Sequence, residues 1–194
     1  MAAQKAASVL RQGGIVLFPT DTLYGLAVDA TNPKAVHELR ALKGREPHKP
    51  LSVIVSDLAS MKRYAVVTKE AEALAERFLP GPLTLVLRAT KAMPVTCTFE
   101  GTIGMRIPDE AFCLALAREF GKPFTATSAN KSGLESLGTV DQIIEQLAGT
   151  FPGIALAIDG GEKSGTMAST IVRLTSDTPE VLREGVLTRE DVGL

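Results

Sequence analysis

The chain of 194 residues is 45% hydrophobic and 22% charged, ordinary values that exclude a disordered or fibrous polymer and suit one folded domain over residues 1–194. Its formal net charge is -1, which excludes a global positive field for coating nucleic acid, so any basic surface must be local. No stretch approaches the roughly 18 apolar residues of a membrane span, residues 1–13 hold no apolar signal core, and the two cysteines, Cys97 and Cys113, lack Cys-x-x-Cys spacing; reduced thiols in a cytoplasmic protein without membrane contact are expected.

Ala2 to Gln12 reads as a helix closed by Gly13-Gly14, and Ile15 to Phe18 as an apolar strand running into Pro19. Asn32-Pro33 supplies an N-cap followed by proline at the first helical position, starting a helix to about Leu42 that Gly44 stops. Lys43 and Arg45 therefore emerge at a helix C-terminus. Leu51 to Val55 and Leu83 to Arg88 are expected strands, the second after the turn Pro80-Gly81-Pro82, with helices at Ser56 to Tyr64 and Thr68 to Leu79 between them. Gly104 to Ile107 is a strand carrying Arg106. Asp109 is the expected cap of a helix to Phe120, and Pro123 to Ala126 is a strand ending at Thr127-Ser128-Ala129-Asn130. Thr139 and Gln142 make a capping-box pair for a helix to Leu147. Three strands remain: Ile154 to Ile158, ending in the turn Asp159-Gly160-Gly161, then Ala168 to Leu174, then Glu180 to Arg183 after a polar turn with Asp177 and Pro179. Thr188 caps a last helix.

The polar clusters at strand ends carry the chemistry. Lys43 and Arg45 either offset the negative end of a helix dipole or meet a ligand phosphate, and Glu46-Pro47-His48-Lys49-Pro50 prolongs the basic stretch into a rigid loop. Thr127, Ser128 and Asn130 suit a simple turn when judged alone. Arg106, on a short apolar strand, must snorkel or find an anion, because a buried unpaired guanidinium is costly. His37 and His48, the only histidines, cannot build a multi-histidine metal site. The P-loop, the Gly-x-Gly-x-x-Gly dinucleotide fingerprint, Gly-x-Ser-x-Gly and His-Glu-x-x-His are all absent, so any phosphate is expected to be held by side chains.

Six blocks in order, Pro19-Thr20-Asp21-Thr22-Leu23-Tyr24-Gly25-Leu26, Lys43-Gly44-Arg45, Pro80 to Leu87, Thr127 to Gly133, Ser169-Thr170-Ile171-Val172 and Leu182-Arg183-Glu184-Gly185, resemble the threonylcarbamoyl-AMP synthase (YrdC-like) family. The resemblance implies an α/β fold, with a twisted mixed sheet flanked by helices and a concave, positively charged cavity. It also implies an enzyme that condenses L-threonine, bicarbonate and ATP into threonylcarbamoyl-adenylate and pyrophosphate, for modification of adenosine in tRNA, with Mg²⁺ bridging the phosphates. Other proteins then carry out the transfer to tRNA. Lys43 and Arg45 would be catalytic and meet the phosphates, with Lys49, Thr102, Ser128, Asn130, Ser136 and Arg183 also on the ATP side. Thr22, Arg106, Ser169 and the Ala126 backbone would hold threonine. Many members carry Asn in place of Lys49 and His in place of Ile54, so one polar threonine contact is expected to be missing here. The competing readings are a double-stranded RNA or tRNA-binding module without catalysis, against which the near-neutral charge and 5% aromatic content weigh, and a carbamoyl-handling domain of hydrogenase maturation, which belongs in longer metal-binding chains.

Overall fold

A computed structural model describes residues 1–194 except 47–48, 150–152, 164–166 and 177. Pro47, His48 and Asp177, to which the sequence assigns parts of a rigid basic loop and a polar turn, thus lie outside the described residues. The helices are α1 (Ala2–Arg11), α2 (Pro33–Lys43), α3 (Leu58–Tyr64), α4 (Lys69–Phe78), α5 (Ala111–Phe120), α6 (Val140–Leu147) and α7 (Arg189–Val192). The strands are β1 (Ile15–Phe18), β2 (Gly25–Ala27), β3 (Ser52–Ile54), β4 (Ala65–Val66), β5 (Leu83–Ala89), β6 (Thr102–Arg106), β7 (Phe124–Thr125), β8 (Thr127–Ser128), β9 (Ile154–Ala157), β10 (Thr170–Arg173) and β11 (Glu180–Arg183). None of the described helices is long and apolar enough to cross a membrane.

Local chemistry sets several boundaries as expected. The Asn32 side chain accepts from the Lys34 and Ala35 amides with Pro33 following, and Gly44 closes α2 in the left-handed conformation at φ 58°. Thr188 and Asp191 form a reciprocal capping box on α7. Thr139 accepts from the Gln142 amide, the half of its expected box that forms. One cap is displaced. Glu110, not Asp109, accepts from the Cys113 amide, because α5 starts one residue later than expected, at Ala111, while the Asp109 amide donates to Asp21 Oδ2.

The expected sheet is present as two hydrogen-bonded sheets, both mixed. One has the order β8-β2-β1-β9 and the other β11-β10-β5-β6-β3-β7, with β4 on β5. Residues 124–128 join them: Thr125 pairs with Val53 in the larger sheet, while Thr127 pairs with Leu26 and Ser128 with Gly25 in the smaller. A second link runs from the Thr125 amide to the Val28 carbonyl at 3.0 Å. The three-residue β2 and two-residue β8 escape the sequence pattern because they are too short for a period-two alternation to mark them, and β8 pairs with β2 about 100 residues away.

Two apolar clusters hold these layers. The larger gathers Leu17, Leu26, Leu39, Val53, Leu83, Leu85, Leu87, Ile103, Met105 and Val172. The smaller joins α1 and α5 to β1 through Ala6, Leu10, Phe18, Leu116, Phe120 and Phe124, with Phe18 edge-on to Phe124 at 5.8 Å. Each fully buried leucine or phenylalanine contributes about 1.5–3 kcal/mol of transfer free energy. Cys97 and Cys113 are free and buried, in keeping with reduced thiols.

Candidate active site

The period-two alternation of the larger sheet builds a cavity floor. Along β5, Leu83, Leu85 and Leu87 enter the core while Thr84, Val86 and Arg88 face the other way; along β6, Ile103 and Met105 are core while Thr102, Gly104 and Arg106 face out. Together with Ser169, Ile171 and Arg173 these residues floor a cavity of about 860 Å³. Its walls come from the β1–β2 connection (Thr20, Thr22, Leu23, Tyr24), from β8 (Ser128) and from the segment after α2 (Arg45, Pro50, Leu51). Five arginines line it, Arg45, Arg88, Arg106, Arg173 and Arg183, against one carboxylate, Glu100.

At one end Arg106 is 7% exposed. Its Nε donates to the Gly81 carbonyl at 3.0 Å, one terminal nitrogen to Thr22 Oγ1 at 2.9 Å and the other to Asp21 Oδ1 at 2.5 Å. The anion expected beside Arg106 is thus supplied by the protein itself, and three of the five guanidinium N–H donors are used. Burial lowers the Arg106 pKa, while Asp21 opposes that shift. Beside it, Thr84 and Ser169 share a hydrogen bond at 2.9 Å, and Arg183 donates to the Ser169 carbonyl at 2.7 Å. Gly185 lets this corner close, since a Cβ there would come 2.7 Å from the Ser169 carbonyl carbon and overlap the Ala168 carbonyl.

At the opposite wall, Lys43 is 1% exposed at the end of α2 and stands behind the lining residues. Its Nζ donates to the Ser128 carbonyl and to Asn130 Oδ1, the latter at 3.3 Å. Asn130 also accepts from Ser128 Oγ at 2.5 Å and donates to the Lys131 and Leu134 carbonyls. Burial, and then the charge of Arg45, pulls the Lys43 pKa from 10.5 to about 7. Burial, followed by Arg40, likewise lowers that of Arg45. Among the described residues Arg40, Lys43, Arg45 and Arg183 make no ion pair, whereas Arg106 and Arg173 do. Arg45 Nε has no hydrogen-bond partner. Desolvated cations without carboxylates are what an incoming polyanion would relieve.

Thr22, Arg45, Thr102, Arg106, Ala126, Ser128, Ser169 and Arg183 all line the one cavity. Lys43 and Asn130 support its wall from behind. Lys49 and Ser136 are exposed and do not line it, with Lys49 Nζ 3.8 Å from the Glu46 carboxylate. Ile54 is 1% exposed, packs in the Phe18/Phe124 cluster and is not among the residues that line the cavity. Sequence reasoning missed Asp21, Thr84 and Tyr24. The Tyr24 hydroxyl donates to Gly161 O at 2.7 Å and accepts from the Gly160 amide at 2.9 Å, tying the Asp159-Gly160-Gly161 turn to the cavity wall. Thr84 and Arg88, the polar residues on one face of an otherwise apolar strand, were the available signal.

Residues 8–185 match the Sua5/YciO/YrdC family profile, described as "Telomere recombination". The chain belongs to this family. It is 38% identical over 192 residues to the threonylcarbamoyl-AMP synthase of Bacillus subtilis, covering 97% of this chain and 54% of that protein. To the threonylcarbamoyl-AMP synthase of Mus musculus it is 41% identical, covering 82% of this chain and 56% of that protein. The crystal structure of Pyrococcus abyssi Sua5 complexed with L-threonine superposes with a TM-score of 0.91 at 36% identity, covering 98% of this chain and 56% of the other. The chain thus spans about half the length of these relatives. Membership of the Sua5/YciO/YrdC family accounts for the order of the six sequence blocks and for the α/β architecture with mixed sheets.

Proposed function

We propose that this cavity condenses L-threonine, bicarbonate and ATP into L-threonylcarbamoyladenylate, releasing pyrophosphate, and so supplies the threonylcarbamoyl modification of adenosine in tRNA. One observation carries the reading: three cations without a carboxylate partner among the described residues, the buried Lys43 behind the wall, the half-buried Arg45 and the exposed Arg183, gather at the same cavity as a hydroxyl-rich corner at Thr22, Arg106 and Ser169. The first set suits a triphosphate. The second suits a small amino acid, whose carboxylate would take the remaining Arg106 donors beside the Ala126 main chain. The names of the Bacillus and mouse relatives and the threonine bound to the Pyrococcus protein support the same assignment.

In the proposed reaction the threonine amine attacks the bicarbonate carbon, loses a proton and expels a bicarbonate oxygen as water, to give a carbamate. A carbamate oxygen then attacks the α-phosphorus as the bond to pyrophosphate breaks. No protein nucleophile is needed, and catalysis comes from positioning and charge stabilisation. Arg45 and Lys43 neutralise the departing pyrophosphate, with Ser128, Asn130, Thr102 and Arg183 on the nucleotide side; Lys49 and Ser136 would join from the rim. The described residues hold no cluster of three or more acidic, His or Cys side chains, and hydroxyls with arginines fit a Mg²⁺ carried in by the phosphates. The acylated adenylate requires acceptor proteins that transfer its threonylcarbamoyl group to tRNA.

The test is pyrophosphate release from ATP with and without L-threonine and bicarbonate, with L-serine as control. Release that needs both co-substrates supports the synthase. Intact ATP in every mixture would sink it.

A further inference from the structure

Arg40, on α2, has no place in the reaction above, yet it is only 9% exposed and its charge faces no carboxylate among the described residues. Burial lowers its pKa. Its guanidinium spends its donors on main-chain carbonyls of two separate segments. One terminal nitrogen donates to Glu46 O at 3.1 Å and to Lys49 O at 2.7 Å, and the other donates to Thr96 O at 3.3 Å. The Arg40 carbonyl also accepts the Arg45 amide at 2.9 Å, and Arg45 in turn donates to Pro50 O at 2.8 Å. Glu46 and Lys49 are therefore both tied to the Arg40 side chain through their carbonyls.

The second segment leads directly to another part of the cavity rim. Three residues beyond Thr96, Phe99 and Thr102 exchange main-chain hydrogen bonds at 2.9 Å, and Phe99, Glu100, Gly101 and Thr102 line the same cavity as Arg45 and Pro50. One planar, permanently charged fork thus spans the gap between two cavity rims. A lysine ammonium has the charge but lacks the geometry to reach three carbonyls in one plane.

We infer that Arg40 is a positioning residue that sets the distance between the Arg45 rim and the Thr102 rim, and so the fit of the nucleotide between them. The inference rests on the proposed synthase reading for its substrate. The threonine corner at Thr22, Arg106 and Ser169 is held by other bonds, so its fit is independent of Arg40.

The experiment uses the full chain with Arg40→Met and Arg40→Lys. For Arg40→Met, the KM for ATP rises about tenfold or more while the KM for L-threonine stays within about twofold, and Arg40→Lys recovers part of the ATP effect. In the same variants, amide exchange accelerates in peptides covering residues 43–51 and 96–102 together, with the rest of the chain unchanged. An unaltered KM for ATP, or losses that scale equally in both KM values and in folded fraction, overturns the inference. If the wild-type protein releases no threonine-dependent pyrophosphate, the synthase reading fails by itself. The exchange measurement then decides the role of Arg40: joint loss of protection in the two rims supports it, and unchanged or global exchange overturns it.

Discussion

Lys43 Nζ lies 3.3 Å from Asn130 Oδ1, joining the C-terminus of α2 to a loop 87 residues away in sequence. The bond turns two motifs into one wall. Burial around the pair, followed by the charge of Arg45, is what pulls the Lys43 pKa down.

Lys43 should tilt the pH dependence of stability. Its folded pKa, about 7, lies below its ordinary 10.5, so between those values the unfolded chain binds more protons. The cost of burying the charge is absent above about 10.5 and complete below about 7; stability from this group rises with pH across that window by up to roughly 1.4 kcal/mol per pH unit. Urea melts at about pH 7 and about pH 10 should show the rise in wild type and a flatter response in Lys43→Met. Parallel responses would contradict a buried ammonium.

Lys43→Met should also lose most turnover at saturating substrates, since the positive charge behind the wall that Ser128 lines, and the hold on Ser128 and Asn130, are gone. Rates within about twofold of wild type would remove Lys43 from the proposed chemistry.

Asp21→Asn strands the Arg106 guanidinium, which is 7% exposed and otherwise paired at 2.5 Å. Removing one member of such a pair costs about 3–5 kcal/mol, so the variant should melt well below wild type. Its KM for L-threonine should rise as well, because the arginine loses its charged partner and is held only by Gly81 O and Thr22 Oγ1. A stability change under about 1 kcal/mol would mean that water already screens the pair.

Gly185→Ala places a methyl group against the Ala168 carbonyl and 2.7 Å from the Ser169 carbonyl carbon, both backbone atoms that cannot rotate away. The end of β11 must move, carrying Arg183 off Ser169. A loss of about 1–3 kcal/mol and a weaker response to ATP are expected; wild-type melting and affinity would show that the corner tolerates displacement.

Cys97, with its pKa raised to about 11 by burial, and Cys113, raised further by burial and by Glu110, should both resist a maleimide at about pH 7.5. Both should react in denaturant. Labelling of either thiol in the folded protein would place it in an opening segment.

Much of the candidate site was legible as residue types in order. Thr22, Arg45, Ser128, Ser169 and Arg183 were named from their blocks and share one cavity. The placement of Lys43 behind the wall was not legible, because a helix-terminal lysine reads the same whether its tip is solvated or enclosed. Ile54 was read as the loss of a polar threonine contact, and which cluster its side chain joins was not legible, being set by how α1 and α5 pack.

The sequence by itself determined the local elements, since caps, glycine stops and the alternation of Leu83 to Arg88 act within a few residues. Only the tertiary structure decided that Asp21 answers Arg106, that Arg40 binds carbonyls of two loops, and that residues 124–128 pass from one sheet to the other. Those bonds close between segments about 6 to 100 residues apart, and their geometry is set by the packing of whole layers, which no local pattern records.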